Sequence, residues 1–280
     1  MTERISTYPP LAAAWGSPVR RGPSLWRDAW VLAGRTVDHW RTRPGAVAVQ
    51  LLFPVLIVLM MGGLFGGAIA GTAADYMPFV VPGVLTLTML FGVETTMTAV
   101  ATDAARTLTD RFRSLPISSG AVLLGRVIAD LAASVLELSV LTLAGLALGW
   151  RLDGGLGAAL LAYLLLLWLR LAVLWLGLLF GLRVSGPEAV MAVQILVWPV
   201  GFLSTVFLDP GTMPRWLGVA AEWNPLSATT TAVRDLFGNP GVAGITWASE
   251  NAALLAVAWP AVLLAITVPV ATRAYRRLGA

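Results

Sequence analysis

The chain has 280 residues, of which 58% are apolar and only 12% are charged. This composition excludes a soluble globular protein, in which about a quarter of the residues carry a charge. The sequence therefore predicts an all-α, polytopic integral membrane protein. There is no cysteine and only one histidine, so we expect no metal site and no catalytic residues. All 19 basic residues are arginine, and the chain thus lacks the lysine that a phosphate-binding P-loop requires.

Two segments precede the first long apolar run. Residues 1–23 are rich in proline, serine, glycine and arginine, and they are predicted to form a flexible cytoplasmic tail. Residues 24–41 carry tryptophans on one helical face and mostly charged residues on the others, which predicts a helix lying in the membrane interface. A soluble helix packed on a partner is the alternative. Residues 24–280 together are predicted to form one transmembrane domain.

Six apolar runs follow, each near the length of ~20 residues that crosses a bilayer. They are residues 46–70, 79–101, 121–150, 155–182, 189–208 and 252–271. With the N-terminus inside, the inner segments hold 14 arginines and the outer segments hold 3. The positive-inside rule therefore predicts that both termini are cytoplasmic. The outer segment 209–251 contains prolines and two candidate short helices, and we expect a re-entrant or interfacial hairpin there.

A short amphipathic helix is predicted over residues 106–116, between the second and third spans. Leu108, Phe112 and Leu115 form one helical stripe, and Pro116 ends the helix. The charged side chains on its other faces are Arg106, Asp110, Arg111 and Arg113. Such a helix is suited to transmit the movement of a soluble partner to the second and third spans. Alternatively, its arginines only fix the orientation and bind anionic lipid headgroups.

Four charged residues fall inside predicted spans, where a charge at the bilayer centre costs ~2.5–3.5 kcal/mol. They are Glu94, Asp130, Glu137 and Arg170. Glu137 and Arg170 lie near mid-depth on adjacent spans, so we predict that they pair. Arg126 and Asp130 are one helical turn apart and suggest a local pair. Glu94 lies among threonines and either lines an inner vestibule or bonds neighbouring helices; proton coupling through it is a third alternative.

Two short motifs resemble those of permease subunits of type-2 ATP-binding-cassette (ABC) exporters, close to the daunorubicin-resistance group. The first is Asp110 and Arg111, followed by Pro116, Ile117 and Ser118, although aspartate stands where glutamate is usual. The second is Asn224, Pro225, Leu226 and Ser227, ending in Arg234 before the last span. The interfacial helix, the six spans and the chain length agree, so the resemblance covers nearly the whole chain.

The resemblance implies a two-fold assembly in a bacterial cell membrane. Two permease chains, identical or paralogous, would bind two copies of a separate ATPase subunit that carries ATP and magnesium. Residues 106–115 would be the coupling helix. The implied cargo is an amphipathic or hydrophobic small molecule, such as an antibiotic, a drug or a lipid-like metabolite, with no nucleic-acid partner.

Other functions remain alternatives at this stage. Export of a glycolipid or lipid-linked polysaccharide is possible within the family, but the tryptophans lie mostly at the interfaces rather than along a path. An ion-coupled secondary transporter usually shows internal repeats, and none is evident. A membrane-embedded enzyme needs a cluster of polar catalytic residues, and none stands out.

Overall fold

The structure, a computed structural model, describes residues 26, 27, 29–31, 34, 44–105, 119–183, 187–239, 241, 244 and 246–277. Within these residues all the regular elements are helices. They are α1 (Pro44–Met60), a π-helical turn (Met61–Phe65), α2 (Gly66–Ala70), α3 (Ala73–Ala105), α4 (Ser119–Ala147), α5 (Gly155–Arg183), α6 (Pro187–Phe202), a 3-10 turn (Pro210–Thr212), α7 (Arg215–Glu222), α8 (Pro225–Leu236), α9 (Trp247–Glu250) and α10 (Ala252–Arg277). The prediction of an all-α membrane protein is thereby confirmed for the described part of the chain.

Five helical segments among the described residues are long and apolar enough to cross a membrane. They are Val47–Ala70, Ala73–Thr102, Ala121–Ala147, Gly155–Arg183 and Ala252–Tyr275. These segments coincide with the predicted spans one, two, three, four and six. The chain is therefore a multi-pass membrane protein.

Helix α3 forms the centre of the bundle, and 78% of its most apolar stretch of 18 residues is buried. It packs most extensively along α5, which packs in turn against α10. Glycines make the contact with α5 close: a Cβ at Gly177 would lie 2.8 Å from the carbonyl oxygen of Val93. The apolar core consequently lies along the α3–α5 contact, while only 17% of the most apolar stretch of Val47–Ala70, the segment that includes most of α1, is buried.

The fifth predicted span is shorter than its hydropathy suggests. Helix α6 ends at Phe202, and residues 203–209 continue as turns and bends rather than as helix. The prediction that this helix continues to residue 208 is therefore wrong. The apolar part of α6, Val190–Phe202, is too short to count with the five long helices, so the sixth span stays a prediction.

The predicted outer segment contains the two expected short helices, α7 and α8. Helix α8 is deeply buried from Leu226 to Arg234 and packs against α10, α3 and α5. Trp216, Trp223 and Trp247 are exposed, as an aromatic belt requires. Re-entry of this segment into the membrane stays a prediction.

The turn between α4 and α5 is fastened to the end of α8. The Trp150 indole donates to the side-chain oxygen of Asn239 at 2.7 Å. The backbone amides of Asp153 and Gly154 both donate to the Phe237 carbonyl, at 2.9 and 3.0 Å. Gly238 follows with a φ of +71°, a conformation that favours glycine.

Most of the N-terminal region and the predicted coupling helix cannot be compared with the structure. Within 24–41, each described residue is helical, and Trp26 and Trp30 are exposed whereas Ala29 is buried. The tail 1–23 and the segment 106–116 lie outside the described residues.

Candidate functional site

The first polar site is a buried ion pair between α5 and α4. Arg170 is 1% exposed, and its guanidinium forms hydrogen bonds to both carboxylate oxygens of Asp130. Nε donates to Oδ2 at 2.8 Å and Nη2 donates to Oδ1 at 3.0 Å. The remaining nitrogen, Nη1, donates to the Met89 carbonyl on α3 at 3.4 Å. Two parallel bonds to one carboxylate are the strongest arrangement that arginine offers, so this pair ties three helices together.

Glycine at position 92 makes room for this pair. A Cβ at Gly92 would collide with the Arg170 guanidinium. The adjacent Thr96 hydroxyl donates to Asp130 Oδ1 at 3.3 Å. Helix α3 thus contributes both the space and two polar contacts.

The predicted pairing of Glu137 with Arg170 is wrong, because Asp130 takes the guanidinium. Glu137 instead accepts a hydrogen bond from the side-chain amide of Gln50 on α1. Asp130 and Glu137 are seven residues apart, two turns on one face of α4, but they bond to different helices. The Asp130 carboxylate bonds α5 and α3 across the bundle, while its expected local pair with Arg126 stays a prediction.

Glu94 lies apart from this ion pair. Its side chain is half-buried, and its Oε1 is buried without a hydrogen-bond partner among the described residues. The neighbouring hydroxyls bond elsewhere, Thr95 to the Gly92 carbonyl at 3.2 Å and Thr96 to Asp130. The structure therefore gives Glu94 no bond to a described neighbouring helix, and a place along an inner vestibule stays a prediction.

The second polar site is built by the motif that precedes the last span. Asn224 caps α8, since its side-chain oxygen accepts the Leu226 amide at 2.9 Å. Pro225 follows at the first helical position, where no backbone donor is needed. The Asn224 side-chain amide donates to the carbonyls of Val200 and Leu203, at 2.8 and 2.5 Å. One side chain therefore starts α8 and satisfies carbonyls at the end of α6, which the helix itself leaves without partners.

Arg234 continues the same site and is fully buried. Its Nε donates to the Phe79 carbonyl at 3.0 Å, and its Nη2 donates to the Val206 carbonyl at 2.9 Å. The guanidinium carbon lies 3.6 Å above the centre of the Phe79 ring. Burial lowers the pKa of the Arg234 guanidinium to about 9, which keeps it cationic at neutral pH.

Two further hydrogen bonds hold the non-helical segment after α6. The Ser227 hydroxyl accepts the Thr205 amide at 2.9 Å, and the Tyr76 hydroxyl donates to the Phe207 carbonyl at 2.6 Å. The motif residues and α3 together fix residues 203–207 in a non-helical path after the end of α6. Sequence reasoning identified Asn224, Pro225 and Arg234 but missed Tyr76, because a lone tyrosine at the end of an apolar run gives no signal of its partner.

The residues predicted to contact an ATPase lie between the end of α3 and the start of α4, outside the described part of the chain. They are Arg106, Asp110, Arg111, Phe112, Arg113, Leu115 and Pro116. Over the described ranges, no group of three or more acidic or histidine side chains is placed to hold a metal ion.

Comparison with known proteins places these features in a family. Residues 27–237 match the ABC-2 type transporter family. The chain is 35% identical over 231 residues to the daunorubicin resistance ABC transporter permease protein DrrB1 of Streptomyces coeruleorubidus, covering 82% of this chain and 79% of the relative. It is 24% identical over 216 residues to the putative transport permease ycf38 of Cyanophora paradoxa, covering 75% and 74%. The match spans α1 to α8, including both polar sites, and the chain belongs to the ABC-2 type transporter family as a membrane permease subunit.

Proposed function

We propose that this permease exports an amphipathic or hydrophobic small molecule from a bacterial cell. The observation that carries the proposal is the 35% identity, over most of both chains, to a permease named for resistance to daunorubicin. The bundle supports it, because its long helices are apolar and their described charges are few and partly paired. A cargo that partitions into the inner leaflet has already left the water. It can therefore contact an apolar protein surface without needing hydrogen bonds from the protein in place of its hydration.

The proposed motor is a separate ABC ATPase subunit that binds ATP and magnesium. Two copies of it would act on two permease chains through the coupling helix at residues 106–116. Arg106, Arg111 and Arg113 would meet acidic groups of the ATPase, while Phe112 and Leu115 would be buried in its groove. The absence of lysine from the chain supports this division of labour, since a P-loop cannot be formed here.

The position of this helix in the chain explains how the motor would act. It connects α3, the most buried long helix, directly to α4, which carries Asp130 and Glu137. Closure of the ATPase subunits on ATP would therefore displace the two helices next to the coupling helix, one of which bears these intramembrane charges. The result would be a shift of population between inward-facing and outward-facing states.

A reconstituted complex tests the proposal. We expect the cognate ATPase subunit to hydrolyse ATP faster with this permease in proteoliposomes, and an amphipathic cargo to raise the rate further. The double variant Arg111→Glu and Arg113→Glu should lose most of the stimulation, since like charges would then face each other across the contact. Arg273→Glu, at an exposed arginine near the end of α10, is the matched control.

The control variant should retain the stimulation. Full stimulation by the double variant would overturn the coupling role of residues 106–116. Hydrolysis of ATP by the purified permease alone would overturn the proposed division of labour.

A further inference from the structure

The buried charges of α4 and α5 do not balance. Both charge-assisted bonds of Arg170 go to Asp130, at 2.8 and 3.0 Å. Glu137, which is 7% exposed, accepts only the amide of Gln50 at its Oε1, and its Oε2 accepts no hydrogen bond from the described residues. The site therefore holds two carboxyl groups and one guanidinium. A buried carboxylate whose direct partner is an amide is unfavourable, so a cation that bound it directly would stabilise its charged form.

The position of Glu137 makes it accessible from one side. Gln50, which covers it, is an exposed residue of α1, and α1 packs mainly against α3 and α4. Apolar side chains surround this edge of the bundle. The exposed ones nearest in sequence to the two polar residues are Val49, Leu52, Phe53, Val135 and Leu136. A carboxyl group with a removable amide cover thus lies within an apolar surface.

We propose that Gln50 and Glu137 bind the positively charged end of a hydrophobic organic cation, which is the cargo of this permease. The inference rests on the proposed export function and specifies its cargo. The cation replaces the Gln50 amide hydrogen at Glu137 and supplies a counter-charge in direct contact, because the direct bonds of Arg170 to a carboxylate go to Asp130. Its apolar body lies on the exposed aliphatic side chains of α1 and α4. A neutral or anionic amphiphile finds the same apolar surface but no matching charge.

Glu94 is the natural comparison, because it is also a carboxyl group without a cationic partner among the described residues. Its Oε1 is buried and accepts no hydrogen bond from the described residues, so no bonded side chain is present there for a ligand to replace. It lies on α3 rather than at the edge between α1 and α4. Glu94→Gln is therefore a matched control for Glu137→Gln.

Binding of two matched fluorophores to the full chain in lipid nanodiscs tests the proposal. The probes are diphenylhexatriene, which is neutral, and its trimethylammonium derivative, which is a permanent cation. Energy transfer from the protein's tryptophans reports binding, and signal from nanodiscs without the permease is subtracted. We expect the wild type to bind the cationic probe at least tenfold more tightly than the neutral one.

Three variants decide the origin of this preference. Glu137→Gln keeps a hydrogen-bonding group of the same size and should lose the preference, whereas Glu94→Gln should retain it. Gln50→Arg provides an internal cation for Glu137 at an exposed position, and it should lose the preference while leaving Glu137 in place. Equal binding of the two probes by the wild type would overturn the proposal. Loss in Glu94→Gln, or retention in either of the other variants, would overturn it as well.

The result is independent of the motor, because the measurement uses neither ATP nor the ATPase subunit. If the permease binds the cation but does not stimulate the ATPase through residues 106–116, the proposed cation site is supported and the proposed coupling is overturned. If the permease stimulates the ATPase but shows no charge preference, only the proposed cation site is overturned.

Discussion

At the scale of single residues, the bidentate bond between Arg170 and Asp130 joins α5 to α4 inside the bundle. Both groups lie within apolar spans, and each makes the burial of the other tolerable. Removing one member of a buried pair leaves an uncompensated charge, which costs about 3–5 kcal/mol. The same change at Glu137 removes a charge that has no direct cationic partner.

Two isosteric amides should therefore behave differently. Asp130→Asn should destabilise the protein by about 3–5 kcal/mol, since it leaves Arg170 without a counter-charge. Glu137→Gln should cost less than about 1 kcal/mol, because it keeps its bond to Gln50. Unfolding of both purified variants in a denaturing detergent gives the comparison. A cost for Glu137→Gln equal to that for Asp130→Asn would show that Glu137 is the true partner of Arg170.

The sequence identified all the residues of this network that carry charge, but it assigned the wrong pair. Counting residues along a span gives the level of a side chain, and Glu137 and Arg170 do lie near the middle of their helices. It gives neither the tilt of the helices nor their rotation about their axes. The role of Gly92 could not be predicted by such counting either, because this glycine makes space for the Arg170 guanidinium from a third helix, α3.

At the scale of elements, the early end of α6 explains why the motif before the last span contains side chains that donate hydrogen bonds, namely Asn224 and Arg234. Apolar residues continue to residue 208, and hydropathy does not distinguish a helix from a non-helical apolar segment. The carbonyls of this region that point away from helical partners accept hydrogen bonds from Asn224, Arg234 and Tyr76 instead. The need for such donors could be predicted only once the helix end was known.

Asn224 has two separable roles, and one substitution distinguishes them. Asn224→Asp keeps an oxygen to cap α8, and aspartate is as good a cap as asparagine. It cannot donate to Val200 and Leu203, and its charge would face their carbonyls. We expect a loss of about 1–3 kcal/mol, close to that of Asn224→Ala, in thermal unfolding of the purified protein. An aspartate variant as stable as the wild type would reduce the role of Asn224 to capping.

At the scale of the whole molecule, the arginine distribution predicts which face meets the cytosol, and the helical bundle is consistent with either orientation. The absence of cysteine makes a direct measurement simple. Composition was sufficient to predict the membrane class and the long helices. The arrangement of the helices around α3 was not predictable, because nearly every face of every span is apolar.

Single cysteines should report the orientation in intact cells. Trp216→Cys replaces a side chain that is 74% exposed and lies on the predicted outer surface, so a membrane-impermeant maleimide should label it from outside. Arg111→Cys should be labelled only after the cells are permeabilised. Labelling of residue 111 in intact cells would show that the orientation is the reverse of the predicted one. Residue 111 could then not contact a cytosolic ATPase.

The hydrogen bonds from Trp150, Asp153 and Gly154 to the end of α8 have a mechanical consequence. They join the predicted outer ends of α4 and α5 to the end of α8 as one block. A displacement that begins at the predicted cytosolic end of α4 should therefore reach the opposite surface as a tilt of the entire block. We accordingly expect a departing molecule to pass along the margin of this block, where α1 is thinly packed, and not between α4 and α5.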